Sequence, residues 1–281
     1  MEVQALRGPF DAVLPNPANA SYMGGSITFG LSASTVVKNY VALVATWINN
    51  NHASYNWTHV NAGISSTNSW YGLTRLIADV ERANTKIVIM EYACNDGSTA
   101  AFQAREEALL RRIITELPGV RVVLPLHLIV ADRAVNDATA VNEAVRQNLI
   151  TLASYYGVPI ADYCAEVQAR VAALTNVVSD FYPVGTNVHP NDFGHGVSAG
   201  LIEAQLGSLT AAPTPLPARL YADSADYEQP PTIKVGTARD SVTGSWSTAG
   251  SVISSSAAGA TVTFSATCRS FAIDTGDGTT N

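Results

Sequence analysis

Lys86-Ile87-Val88-Ile89-Met90-Glu91-Tyr92 (KIVIMEY) is the stretch that decides the fold. Ile87 to Met90 are contiguous apolar residues, as in a strand covered on both faces rather than one alternating between core and water. Such strands belong to parallel sheets sandwiched between helices. The flanking sequence agrees. Upstream, Ser21–Met23 reads as a short first strand, followed by a helix over Ser34–Asn49 with Val37, Tyr40, Val41, Val44, Trp47 and Ile48 at helical spacing. Thr58–Ala62 reads as a strand and Trp70–Ala83 as a helix. Downstream come a helix over Thr99–Leu117 closed by Pro118-Gly119, a strand over Val120–Leu128, a helix over Ala140–Tyr156 ended by Gly157, and a strand over Val158–Asp162. The final helix begins at Asn191 or Asp192, either of which can cap it. From about residue 20 to 209 the alternation predicts an α/β domain around a mostly parallel sheet.

After Leu209 the texture changes. Ala211–Pro217 (AAPTPLP) has linker composition, and residues 218–281 are rich in Ser, Thr, Gly and β-branched residues. The expected division is a first domain over 1–210, a linker over 211–217 and a small β-rich module over 218–281. In that module Ala260–Cys268 alternates apolar and hydroxyl residues, the mark of a half-buried antiparallel strand. Only roughly 60 residues remain for it, against about 100 for a complete β-sandwich. The module is therefore unusually small, completed by a neighbouring chain in a homo-oligomer or larger assembly, or the start of a longer polypeptide.

Composition removes several function classes. An apolar fraction of 47% with 14% charged residues describes a globular chain. A net charge of -7 lacks the basic footprint of nucleic-acid binding. Cys94, Cys164 and Cys268 are odd in number and widely spaced, suggesting neither a disulfide framework nor a zinc site. No segment approaches the roughly 20 uninterrupted apolar residues of a membrane span, and residues 1–19 lack an apolar run of signal-peptide length. A soluble protein is expected.

Four segments fall at the ends of predicted strands, where the loops of an α/β sheet gather. Gly24-Gly25-Ser26-Ile27-Thr28 puts a serine in a tight turn that a substrate can approach. Asn61-Ala62-Gly63-Ile64 offers the Gly63 N–H, and Ala93-Cys94-Asn95-Asp96-Gly97 offers the Asn95 side-chain amide. With the N–H of Ser26 these donors would form an oxyanion hole. Val188-His189-Pro190-Asn191-Asp192-Phe193-Gly194-His195 precedes the last helix, and Pro190 holds His189 extended, ready to take the serine proton. His195 lies inside that helix and ranks second; His52, His59 and His127 have no comparable context.

In this order, Ser26 in GGSIT, Gly63 in NAGI, Asn95 in ACND and His189 in VHPNDFGH, the set resembles the SGNH hydrolases, also called GDSL-type esterases and lipases. The resemblance implies a three-layer α/β/α, flavodoxin-like fold, an acyl-enzyme on Ser26, His189 as general base, and no metal or organic cofactor. Two positions depart from the family pattern. Gly25 stands where Asp usually precedes the serine. Thr186 stands where the triad's acid is expected, three residues before His189. A threonine hydroxyl can orient the ring but not balance an imidazolium, and losing the acid in a related triad lowers turnover about 10⁴-fold. The expectation is a Ser26–His189 dyad or an acid from elsewhere, with Asp180 and Asp192 as candidates.

Family members act on lipids, thioesters, acetylated sugars and peptidoglycan. A Ser/Thr/Gly-rich β module beside such a domain resembles the carbohydrate-binding jelly rolls found next to polysaccharide deacetylases, and no long apolar lid is evident. Removal of acetyl groups from a polysaccharide or cell-surface glycan is the preferred reading. A noncatalytic glycan-binding or adhesin subunit and a lipase or thioesterase are the alternatives. Linked β modules, few cysteines and no signal peptide also suit a phage-like virion fibre, an extracellular setting in place of a cytoplasmic one.

Overall fold

Residues 87 to 90 alternate between two cores. Ile87 and Ile89 pack with Tyr22, Val44, Ile48 and Ile202, whereas Val88 and Met90 pack with Leu73, Leu76, Phe102 and Leu109. That is the two-sided burial expected of a strand in the middle of a sandwich. The computed structural model describes residues 17–80, 84–96, 100–127, 138–183, 188–207 and 216–228, with four three-residue strands beyond them.

Five parallel strands form one sheet: Asn19–Gly24 (β1), Thr58–Gly63 (β2), Thr85–Glu91 (β3), Arg121–Pro125 (β4) and Ile160–Ala161 (β5), in the order β2-β1-β3-β4-β5. The helices are Ser26–Phe29 (α1), Tyr40–Asn51 (α2), Ser69–Asp79 (α3), Ala100–Glu116 (α4), Ala138–Tyr156 (α5), Tyr163–Ala172 (α6), Val178–Phe181 (α7) and Asp192–Leu206 (α8). Residues of α2 and α8 cover one face of the sheet and residues of α3, α4, α5 and α6 the other, giving the three-layer α/β/α fold. Strand order reverses between β1 and β3, the switch point where open α/β sheets bind ligands beyond the strands' carboxyl ends. The register sets Gly24 opposite Gly63 on one side and Glu91 on the other, so three of the segments singled out by sequence start from one row.

Several boundaries differ from the periodicity for local reasons. The helix expected from Ser34 starts at Tyr40, because Asn39 caps it by accepting the Ala42 N–H (2.8 Å), and Val36–Lys38 form a separate 3-10 turn. The strand expected over Val158–Asp162 is only Ile160–Ala161, since the Asp162 side chain caps α6 through the Ala165 N–H (2.9 Å). Helices α6 and α7 were not anticipated. Ala83, Thr99 and Leu128, placed at element ends by sequence, lie outside the described residues.

The first compact unit extends to Glu228, past the composition-based linker. Leu216, Leu220, Tyr221 and Tyr227 pack against the larger core. The buried Glu107 carboxylate of α4 accepts the Leu220 N–H, the Tyr221 N–H (2.8 Å) and the Tyr156 hydroxyl. Arg111 donates to Glu228 (2.7 Å), Tyr156 (2.8 Å) and the Pro217 carbonyl (2.8 Å). Residues 216–228, assigned by composition mostly to the second module, are thus a strap on the first unit. The second unit, Gln229–Asn281, contains two short antiparallel pairs: Ser241–Thr243 (β6) with Thr261–Thr263 (β9), and Ser247–Ala249 (β7) with Val252–Ser254 (β8). The rest of the strand expected over Ala260–Cys268 lies outside the described residues.

Replacing Glu107 by Ala removes the acceptor of three buried or half-buried donors and is expected to cost about 2 to 4 kcal/mol of stability. Urea unfolding checks the loss, and limited proteolysis should then cut within residues 216–228 first.

Candidate active site

β1 ends at Gly24, and the chain turns through Gly25 into α1, whose first residue is Ser26. The Gly25 N–H donates to the Glu91 carbonyl (3.2 Å), pinning the turn to the end of β3. Asn61 holds the other end of α1 by donating to the Thr28 carbonyl (2.9 Å). Ser26 is 7% exposed, so its hydroxyl is reachable while its backbone is fixed.

His189 comes from the connection before α8, whose residues pack in the same core as Ile27 of α1. Asn191 accepts the Gly194 N–H (3.0 Å), which caps α8, and its own N–H groups donate to the carbonyls of Phe181 (2.8 Å) and Asp180 (3.0 Å). These bonds clamp the residues after His189 between α7 and α8. The imidazole Nε2 lies 2.7 Å from Ser26 Oγ, across 163 residues of sequence. For Nε2 to accept the serine proton, the ring's own proton must sit on Nδ1. Burial lowers the His189 pKa, which keeps the ring neutral and ready to act as a base.

Neither acid candidate supports the ring. Asp180 accepts from Asn176 (3.0 Å) and the Val177 N–H (3.0 Å), closing the first turn of α7. Asp192 accepts the Ser34 N–H and hydroxyl (both 2.7 Å) and binds Lys38 (2.8 Å). Those hydrogen bonds, led by the one from Lys38, hold the Asp192 carboxyl at about 2, fully ionised but committed elsewhere. Thr186 lies outside the described residues.

Asn95 is held beside the serine turn. Its amide donates one N–H to the Thr67 carbonyl (2.8 Å), which leaves the second N–H for a ligand. Asp96 braces this loop by accepting the Ser69 N–H (2.7 Å) and hydroxyl (3.0 Å) and pairing with Arg105 (2.9 Å). A Cβ added at Gly25 would sit 2.6 Å from the Asn95 amide nitrogen, so a side chain there would push that amide away from its present place. Gly63 has a different part. Its N–H donates to Asn61 Oδ1 (2.9 Å), and a Cβ there would run into the backbone of Thr28 and Phe29. It is the seat of α1 on β2, with its donor already engaged.

The part of the β2–α3 connection lying against Gly25 and Asn95 is the turn Ile64–Thr67, with Ser66 in a left-handed conformation (φ 63°) and Thr67 Oγ1 donating to the Ile64 carbonyl (2.7 Å). Sequence reasoning passed over this turn. Its signal was the run Ser65-Ser66-Thr67-Asn68, a turn composition directly after a strand. His195, second choice as a base, is buried; its ring accepts the Tyr40 N–H (3.3 Å) and lies 3.2 Å from the Leu31 carbonyl. Burial, with the Glu91 charge, pushes the neighbouring Cys94 thiol up to about 12, which keeps it from competing as a nucleophile. Among the described residues no three His, Cys, Asp or Glu side chains are grouped to hold a metal ion, and no helix is long and apolar enough to cross a membrane.

A serine and a neutral histidine in contact at a switch point, beside an amide donor, define a serine hydrolase arrangement on an α/β/α sheet. The chain belongs to the GDSL-like lipase/acylhydrolase family, whose model matches residues 22–197 and so spans both Ser26 and His189. Among solved structures it is similar to a two-domain esterase active on acetylated mannans, crystallised with mannopentaose: 28% identity, TM-score 0.62, covering 72% of this chain and 52% of that one. The chain therefore spans about half the length of that esterase. At fold level it also matches an acetylxylan esterase from Geobacillus stearothermophilus (19% identity, TM-score 0.54, 69% of this chain and 96% of that one). An α/β hydrolase from the metagenome of Lake Arreo gives the same picture (18%, TM-score 0.54, 69% and 97%). No curated protein matches.

Gly25→Ala should displace the Asn95 amide and lower kcat for p-nitrophenyl acetate about 10²-fold while the protein stays folded by circular dichroism. Because burial lowers the His189 pKa, the acid limb of kcat/KM is expected below the ordinary histidine value of 6.5. A pH–rate profile from 4 to 8 checks the sign.

Proposed function

We propose that the protein is a serine esterase that removes acetyl groups from a polysaccharide or cell-surface glycan, with Ser26 as nucleophile and His189 as general base. The observation that carries the chemistry is the 2.7 Å contact between His189 Nε2 and Ser26 Oγ beside the Asn95 amide. Ser26 Oγ attacks the acetyl carbonyl carbon while its proton passes to His189 Nε2. The carbonyl oxygen becomes an oxyanion received by the Ser26 N–H, which has no helical acceptor in the first turn of α1, and by the second N–H of Asn95. The turn at Ser66 is the place for a third donor, since the Gly63 N–H is engaged. His189 then returns the proton to the sugar oxygen, which leaves as an alcohol. Water, deprotonated by the same nitrogen, attacks the acetyl-serine, and as acetate is released His189 passes that proton back to Ser26 Oγ.

With Asp180 and Asp192 bound elsewhere, His189 works as the base of a dyad. Its ring is only half-buried, so solvent shares in stabilising the transient imidazolium. Support for a sugar ester comes from the acetylated-mannan esterase at 28% identity, itself a two-domain protein, and from the second unit that follows residue 228 here.

Wild-type protein is expected to hydrolyse p-nitrophenyl acetate and acetylated mannan, with rates falling sharply from acetyl to butyryl and octanoyl esters, and Ser26→Ala to lose at least about 10³-fold in kcat. Rates rising with chain length would indicate a lipase or thioesterase. Equal rates in wild type and Ser26→Ala would leave a noncatalytic glycan-binding protein.

A further inference from the structure

Beneath the nucleophile turn runs a chain of buried polar side chains that ester hydrolysis itself does not use. Glu91, the last residue of β3, is 1% exposed. Its Oε2 accepts from Thr28 Oγ1 of α1 (3.1 Å), and Thr28 Oγ1 in turn meets the Tyr40 hydroxyl of α2 (2.7 Å). On the other side, Glu91 Oε1 has no hydrogen-bond partner and lies 4.0 Å from His127 Nδ1, which has none either. His127 Nε2 is 2.7 Å from Ser198 Oγ of α8. The chain thus begins on the helix that carries Ser26 and ends on the helix that follows His189. We propose that Glu91, held as a neutral acid, is a positioning residue that keeps these two helices in register. The proposal rests on the reading of Ser26 and His189 as nucleophile and base.

Two arrangements can fill the gap between Glu91 and His127. An acid O–H on Glu91 can donate to a neutral Nδ1, or an Nδ1–H can donate to a Glu91 carboxylate. The first brings no net charge into the sheet, whereas the second buries a negative charge that needs a cation. The titratable groups facing Glu91 are Tyr40 of α2, Tyr92, Cys94 and Asp96 of the loop after β3, Glu106 of α4, and His127 after β4, with His195 of α8 behind it. None is cationic at neutral pH: burial, aided by His195, pushes His127 down to about 3, and burial also lowers His195. Burial, opposed by the Thr28 and Gly25 hydrogen bonds, pushes Glu91 up to about 8. A donor to His127 and an acceptor for Thr28 are then both present on one uncharged group. Closing the 4.0 Å between Glu91 and His127 by such a bond would join Thr28, Glu91, His127 and Ser198 in one donor-to-acceptor direction.

The sign of the pH effect follows. Between the ordinary glutamate value of 4.5 and about 8, the folded chain keeps a proton that the unfolded chain has lost. Stability from this site is complete below 4.5, declines as pH rises through that window, and is flat above it. Once Glu91 ionises, its uncompensated charge lies under the turn that holds Ser26, and the alignment with His189 loosens.

The test compares wild type, Glu91→Gln and Glu91→Leu. Glutamine reproduces the neutral acid, accepting from Thr28 and donating to His127, but cannot ionise. Expected for Glu91→Gln is a kcat on p-nitrophenyl acetate within about threefold of wild type at pH 6.5 and no loss above pH 8, where wild type declines. Glu91→Leu should lower kcat at least about tenfold with KM little changed, because it leaves the ester-binding groups intact. Identical alkaline limbs in wild type and Glu91→Gln would overturn the proposal even if Glu91→Leu fails to fold. Urea unfolding of Ser26→Ala and of Ser26→Ala with Glu91→Gln, from pH 5 to 9, reads the same ionisation without any catalysis, and the first should lose more stability with rising pH than the second, the other raised acids such as Glu106 being common to both. Should wild type hydrolyse no ester at any pH, the esterase reading fails and the unfolding comparison alone decides whether Glu91 is a neutral acid: equal slopes would overturn that too.

Discussion

Closure of the serine turn against the end of β3 is the contact on which the site depends. Gly24 and Gly25 are consecutive residues without side chains: a Cβ on the first would strike Thr28 Oγ1 and the Glu91 carbonyl, and one on the second would lie 2.6 Å from the Asn95 amide nitrogen. Because both are absent, α1 sits directly on Glu91, the Gly25 N–H reaches the Glu91 carbonyl, and Asn95 stands beside the nucleophile. An aspartate at this position would have to move the Asn95 amide aside. Gly25 is therefore part of how this chain builds its donor site.

In a Ser-His-Asp triad the carboxylate fixes the ring and balances the imidazolium. Here two nearby carboxylates are used for architecture, Asp180 in the first turn of α7 and Asp192 in joining Ser34 and Lys38 to α8. Among the described residues His189 is placed through Pro190 and the Asn191 clamp, and its ring is half-buried. Positioning by main chain suits a base that must be neutral at rest, and burial lowers its pKa in the required direction.

Much of the fold was legible because burial writes itself into sequence. The run Ile87–Met90 marked a two-sided strand, and the residues after β1, β3 and before α8 were recognisable by composition at strand and helix ends. Which hydrogen bonds each polar group makes was not, whether local or between distant residues. Gly63 was a plausible donor until its N–H was found on Asn61, a side chain two residues away in the same strand. Asp162 looked like the end of a strand but serves as a helix cap, which hid α6. Residues 216–228 read as the start of another module because the partners that bind them, Glu107 and Arg111, lie more than a hundred positions earlier. Glu91 read simply as part of a strand, since its role depends on Thr28, Tyr40 and His127 converging from three other elements.

Covalent labelling tests the central claim most directly, because a fluorophosphonate reacts only with a serine activated by a base. Incubation of the folded protein with such a probe, followed by peptide mapping, is predicted to place the label on Ser26 alone and to lose it in His189→Ala. Label on another serine, or unchanged labelling of Ser26 without His189, would contradict the pairing of these two side chains as nucleophile and base.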